Sequence, residues 1–144
     1  MYRIYKLSNK LYKMNIPIIP KLIKIFIRVV FSSVIPYKAE IGEGTILGYQ
    51  GLGVVIHERS KIGKKCVISQ GVTIGGTSKK YGVPVIGDNV YIGAGAKIIG
   101  PITIADEVVI AANAVVINDI PSRCVIGGIP AKIIKSEINI NDYK

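Results

Sequence analysis

A chain of 144 residues makes one domain with short appendages and is long enough to bury a core. With 49% hydrophobic residues, 7% aromatics, no Trp and 16 glycines, it suits short stacked strands of Ile, Val and Ala and argues against a helical bundle. The formal charge of +10 calls for an anionic partner, a membrane surface or a nucleotide-bearing small molecule, and no aromatic-basic motif points to nucleic acid.

Two cysteines make no disulfide framework. Cys66 and Cys124 each stand two residues before an apolar position, Ile68 and Ile126. Such slots face inward, so both read as core residues of a reduced, cytoplasmic protein. No signal-peptide pattern is visible, and the apolar stretch from Leu22 to Pro36 carries Lys24 and Arg28 and is too short to span a bilayer.

Residues 1–38 form the first segment. They carry Arg3, Lys6, Lys10, Lys13, Lys21, Lys24, Arg28 and Lys38, and no acid. A short helix is predicted over 2–14, with Ile4, Leu7 and Leu11 on one face, before Pro17 and Pro20 break the chain. A second is predicted over 21–33, with Leu22, Ile25, Phe26, Val29 and Val30 at helical spacing. Two readings stand for this basic segment. It packs on the following domain as an end cap, or it is an amphipathic helix that touches a membrane surface peripherally.

From residue 39 the pattern changes. Ile56, Ile62, Ile68, Ile74, Ile86, Ile92, Ile98, Ile104, Ile110 and Val116 share one six-residue register, with only Lys80 out of line. Four residues after most of these positions comes a small or β-branched residue: Ser60, Cys66, Val72, Val90, Ala96, Ile102, Val108 or Ala114. A fixed period of six marks a parallel β-helix, so the expected fold is all-β, with a short helical segment at its N-terminus. Three hexads make one triangular coil of about 18 residues. The register position and the residue four later point inward.

The first coil begins at Ile41 and is interrupted by GYQGLGVV (48–55). GGTSKKYGVPV (75–85) keeps the register without repeat residues, as a protruding loop would. Asn89 and Asn113 fall at corners where a left-handed backbone is expected. A second interruption covers 117–125, and IGGIPAKIIK (126–135) reads as a last partial coil. The β-helix domain thus runs over 39–135, and 136–144 is a polar, frayed tail.

The small-residue column that follows each register position is broken by His57, the only histidine. Beside a corner its ring should project outward. A neutral imidazole suits removal of a proton from a hydroxyl near neutral pH, whereas an exposed structural histidine is the plain alternative.

Three stretches, QGVTIGGT (70–77), IGDNVYIGAGAKIIG (86–100) and GGIPAKII (127–134), in this order resemble the left-handed β-helix acyltransferases. The similarity is to the serine acetyltransferase-like branch, including short relatives in polysaccharide biosynthesis, and covers about residues 33–135. The resemblance implies a left-handed β-helix, assembly as a homotrimer, and acetyl-CoA along the groove between neighbouring subunits. It implies direct transfer of the acetyl group to a hydroxyl, of serine or of a sugar, with a histidine as general base. By position, Gly75, Gly76 and Thr77 would line the thioester region, Gly93, Ala94, Ala111 and Ala112 the pantetheine arm, and Lys132 and Lys135 the nucleotide end. The family's usual Asp and His positions here read Val34-Ile35-Pro36 and Gly48-Tyr49-Gln50-Gly51. His57 is then the one candidate base, with Tyr49 and Gln50 as candidates for orienting the acceptor.

Other readings stay open. Glu58 could hold the His57 tautomer, although adjacent strand residues seldom face each other. Asp88 reads as a turn residue. Lys79, Lys80 and Tyr81 either close over a ligand or lie in a solvated loop. No metal is expected, because one histidine per chain cannot supply a three-histidine zinc site unless three chains meet on an axis. The competing function is a non-catalytic β-helix scaffold or binding module.

Overall fold

A computed structural model describes residues 1–144. Two helices, α1 (Tyr2–Lys13) and α2 (Ile19–Phe31), precede a triangular solenoid. The first coil holds β1 (Glu40–Ile41), β2 (Ile46–Leu47) and β3 (Val55–Ile56), and the second β4 (Lys61–Ile62), β5 (Val67–Ile68) and β6 (Thr73–Gly75). The third holds β7 (Val85–Ile86), β8 (Tyr91–Ile92) and β9 (Lys97–Ile99), and the fourth β10 (Thr103–Ile104), β11 (Val109–Ile110) and β12 (Val115–Val116). A hairpin of β13 (Cys124–Gly128) and β14 (Ala131–Ser136) closes the stack.

The coils stack into three sheets. Strands β1-β4-β7-β10 form the first, β2-β5-β8-β11-β13-β14 the second and β3-β6-β9-β12 the third. All pairs are parallel except β13 with β14. Each register residue meets its equivalent one coil on, as Ile56 meets Ile74 and Ile74 meets Ile98. The eight following slots, Ser60 to Ala114, are all buried, which completes the interior. Each fully buried Ile or Val contributes about 1.5–3 kcal/mol.

Polar groups hold the corners. Asn89 and Asn113 adopt φ of 56° and 57°, the left-handed conformation expected there. The Asp88 carboxylate accepts from the Lys64 amide at 2.7 Å, and Asp106 accepts from the Asp88 amide at 2.6 Å. Asp88 is therefore a turn residue that bridges successive coils.

Three expectations need correcting. The first concerns the helices. In α2 the face named from periodicity is the exposed one: Leu22, Ile25, Phe26, Val29 and Val30 are 49–75% accessible. Pro20 and Ile27 are buried instead, and Ile23 is half-buried against the core. The first coil's end offers surface for one narrow stripe of this helix. Helix α1 takes the rest, and does so largely through polar tips. Tyr2 and Tyr5 hydroxyls donate to the carbonyls of Gly42 and Ala39, and Asn9 Nδ2 donates to the Tyr37 carbonyl at 2.7 Å. Backbone carbonyls near the start of the first coil need donors, and these side chains supply them. The capping half of the two readings is thus seen in α1.

The second correction is at the closing end. Residues 126–135 do not make a coil. Strand β14 turns back antiparallel on β13, pairing Gly127 with Lys132 and Val125 with Lys135. The third is the tail. Ile138 and Ile140 are buried with Val109, against Tyr91, Val125 and Tyr143, so the tail covers the outer side of the second sheet. Two isoleucines in a polar segment suffice, because Val109 faces outward and otherwise lacks cover. No helix is long and apolar enough to cross a membrane.

Candidate active site

His57 follows β3 at the corner between the third and first sheets. Its amide donates to the Ile74 carbonyl at 2.8 Å, which continues the β3–β6 ladder and sets His57 level with Gly75. Gly75 in turn pairs with Ile99, so the three residues form one column along the solenoid. A Cβ at Gly75 would meet nothing nearer than the Ile99 side chain at 3.6 Å. The glycine is therefore not forced by packing, and it leaves space beside the imidazole. Just beyond it, the backbone N–H groups of Gly76 and Thr77 donate to no protein acceptor. An imidazole and two free amides at one corner can together handle a proton and a developing oxyanion.

The ring is tied from behind. The Arg59 amide donates to His57 Nδ1 at 3.2 Å, which leaves Nε2 as the free ring nitrogen. The same arginine holds the loop 76–84. Its Nη2 donates to the Tyr81 carbonyl at 2.6 Å, and its guanidinium lies 3.9 Å from the centre of the exposed Tyr81 ring. Arg59 thus links the histidine to the protruding loop, a pairing across 22 residues that no local pattern announces. Glu58 turns away to Lys38 at 3.6 Å and does not orient the imidazole.

Tyr49 and Gln50 sit elsewhere, in the 3₁₀ turn Gly48–Gly51 between the second and third sheets. Both are left-handed, with φ of 47° and 56°. Two consecutive non-glycine residues there cost roughly 1–2 kcal/mol each, the kind of strain that collects at functional sites. They line an open pocket of about 460 Å³ with Val30, Phe31 and Leu52. His57 does not line it. Helix α2, through Val30 and Phe31, and Leu52 therefore belong to this pocket, a meeting of distant segments that helical periodicity alone does not reveal.

The remaining candidates extend the same corner along the stack. Gly93, Ala94, Ala111 and Ala112 follow β8 and β11. Gly93 is buried, and a Cβ there would run into the Ile110–Ala112 backbone, so coil stacking alone demands glycine. Gly127 packs against the Ala111 side chain, and the exposed Lys132 pairs with Gly127. Lys135 lies further along β14 beside Val125. Neither lysine has an acidic partner within 4 Å. Burial raises the Cys66 and Cys124 thiols, which keeps them protonated and unsuited to nucleophilic work.

Within one chain, then, the candidates divide. His57, Gly75, Gly76 and Thr77 occupy one corner of the triangle; Tyr49, Gln50, Gly93, Ala94, Ala111 and Ala112 occupy another. The short third sheet separates them.

Repeat and coil geometry define a triangular β-solenoid of hexapeptide repeats, the left-handed β-helix of its structural neighbours. Residues 84–118 match the family model described as bacterial transferase hexapeptide (six repeats). A serine acetyltransferase of Synechococcus elongatus is 40% identical over 132 residues, covering 90% of this chain and 54% of that protein. The crystal structure of the Brucella abortus serine acetyltransferase in complex with coenzyme A superposes with a TM-score of 0.88 at 33% identity, covering 94% of this chain and 54% of that one. The Neisseria gonorrhoeae serine acetyltransferase in complex with serine gives 0.86 at 31% identity, covering 93% and 55%. The chain thus carries the hexapeptide repeat over residues 84–118 and resembles the serine acetyltransferases in sequence and fold. It spans about half the length of these relatives.

Proposed function

We propose that this protein is an acetyl-CoA-dependent O-acetyltransferase that passes the acetyl group directly to an acceptor hydroxyl. The observation that carries the reading is the His57 corner, where the lone imidazole stands level with an unfilled Gly75, followed in the chain by two amides with no protein acceptor. His57 takes the proton from the acceptor hydroxyl. The acceptor oxygen bonds to the thioester carbon while Gly76 and Thr77 N–H groups receive the oxyanion. The carbon–sulfur bond then breaks, and the proton on His57 passes to the departing CoA sulfur. As placed, Nδ1 accepts from Arg59, which puts the proton of a neutral ring on Nε2. To act as a base through Nε2, the ring must give up that bond. The bond is long and exposed and contributes about 0.5–1.5 kcal/mol, a small part of a catalytic barrier.

Relatives named serine acetyltransferase and a structural neighbour that holds serine support serine as acceptor. Neighbours that hold coenzyme A support acetyl-CoA as donor. A sugar hydroxyl is the second acceptor, favoured by the largely apolar pocket around Tyr49 and Gln50, which suits a ring face better than a small zwitterion.

We also read the division of candidates between two corners as support for a homotrimer. A neighbouring copy would bring its own Gly93–Ala112 column to the His57 corner and complete a groove that one chain leaves open. Lys132 and Lys135 would then meet the nucleotide phosphates. Two buried free thiols suit a reducing compartment, and we place the enzyme in the cytoplasm.

The test is acetyl-CoA consumption with serine and with sugar acceptors, beside the same measurement on His57→Ala. Turnover with either acceptor that falls about 10²–10⁴-fold in the variant, at unchanged oligomeric mass, supports the reading. Full turnover by His57→Ala ends the assignment of the base. Absence of acetyl-CoA binding in calorimetry favours a non-catalytic scaffold.

A further inference from the structure

We propose that α2 docks the protein on an anionic lipid surface. The helix is fixed by Ile27, buried in the core, and by Pro20, buried with its carbonyl accepting from the Ser8 hydroxyl of α1, so it cannot rotate to hide its other faces. Directly outward it presents Leu22, Ile25, Phe26 and Val29, at the i, i+3, i+4 and i+7 spacing of one helical stripe and 49–75% exposed. On the flank of that stripe Lys21, Lys24 and Arg28 line an open pocket of about 420 Å³ with Ile25 and Tyr37. None of the three cations has a carboxylate within 4 Å; the chain's two ion pairs use Lys38 and Lys61. The first acid in the sequence is Glu40, so the segment has no counter-charge of its own.

An apolar stripe with a cationic flank is the arrangement that lies flat in a membrane interface, side chains in the acyl boundary and cations at headgroup phosphates. Charge decides against the nearest competitor. A second copy packing α2 on α2 would bring Lys21, Lys24 and Arg28 against the same three cations. Phosphate headgroups instead supply what the flank lacks. At 13 residues the helix is too short to span, so the contact is peripheral. The pocket lined by Tyr49 and Gln50 shares Val30 and Phe31 with this helix and opens beside the docked face.

The test is sedimentation of the full chain with large vesicles of phosphatidylcholine alone and of phosphatidylcholine with about one third phosphatidylglycerol, at low and moderate salt. Binding is expected only to the anionic vesicles, and weaker at higher salt. Each cation near an anionic surface contributes about fivefold, so Lys21→Gln/Lys24→Gln/Arg28→Gln should lose on the order of 100-fold. Phe26→Glu/Val29→Glu should abolish binding with an unchanged thermal midpoint, because both positions are exposed. No binding by the intact chain overturns the proposal. So does binding that neither variant weakens. A fall in oligomeric mass in Phe26→Glu/Val29→Glu, without vesicle binding by the parent, assigns the face to a second copy instead.

Discussion

Helix α2 and the β-helix coils are both rich in Ile and Val, yet they treat those side chains oppositely. In the coils the register residues from Ile56 to Val116 are almost wholly buried, whereas in α2 the periodic face stands in solvent. The difference lies in where each element finds its partner. A hexad brings its own partner, because the next coil repeats the same pattern 18 to 24 residues later and stacks like on like. An isolated amphipathic helix must find a complementary surface elsewhere, and here only Ile27, in the core, and Pro20, beside Ser8 of α1, are fully covered. Periodicity names the residues that share a face. Whether that face is covered depends on the rest of the molecule.

The largest expected effect sets the two regions directly against each other. Ile92→Ala should cost about 2–5 kcal/mol in urea unfolding, as a cavity inside the coil stack. Phe26→Ala in α2 should stay within about 0.5 kcal/mol, as a surface change. Equal losses would erase the distinction between them.

A second contrast lies within the coils. A Cβ at Gly63 would overlap the Gly87 carbonyl and the Asp88 carboxylate, whereas one at Gly75 meets only ordinary contacts. Gly63→Ala should therefore destabilise by about 1–3 kcal/mol, while Gly75→Ala should melt like the parent and lose acetyl-CoA turnover. Normal turnover in Gly75→Ala would remove the thioester role from that position.

Alkaline unfolding probes both regions together. Burial pushes the Tyr5 phenol of α1 up to about 12 and raises the Cys66 thiol inside the coils. A folded-state value above the unfolded one gives stability that is complete below the unfolded value and is lost as pH rises through the folded one. Stability should therefore hold to about pH 8, then fall from about pH 9 towards about pH 12, the thiol acting first and the phenol later. Cys66→Ala should flatten the early part of that fall in urea midpoints. A level profile across the range would contradict the burial of both groups.

The smallest effect concerns Ser60, whose hydroxyl is buried in an inward slot with no partner. Ser60→Ala should raise stability by about 1 kcal/mol, because a buried unpaired hydroxyl carries a desolvation cost. A lower thermal midpoint would mean the hydroxyl has a partner after all.

Much of this was legible in the residues. The six-residue register located the inward positions of the coils from Ile56 to Val116, and Asn89 and Asn113 marked left-handed corners because their short side chains tolerate that conformation. His57 stood out as a bulky polar residue in a column of small ones. The candidate site was legible only in pieces. Tyr49 and Gln50 stand where the resemblance puts the family's histidine, but eight residues carry the chain from Tyr49 across one side of the triangle to His57 at the next corner. The tail read as frayed since its composition is polar, and two isoleucines were enough to reverse that by finding Val109 uncovered.

What the sequence determined alone is the coil, because its interactions repeat at a fixed interval and each side chain's direction follows from its place in the hexad. The tertiary structure decided everything that joins unlike parts. It set His57 level with Gly75, tied Arg59 to Tyr81, folded β14 back on β13, and turned the apolar stripe of α2 outward. Those outcomes depend on which surfaces remain free once the coils have stacked, and that is a property of the assembled solenoid rather than of any one repeat.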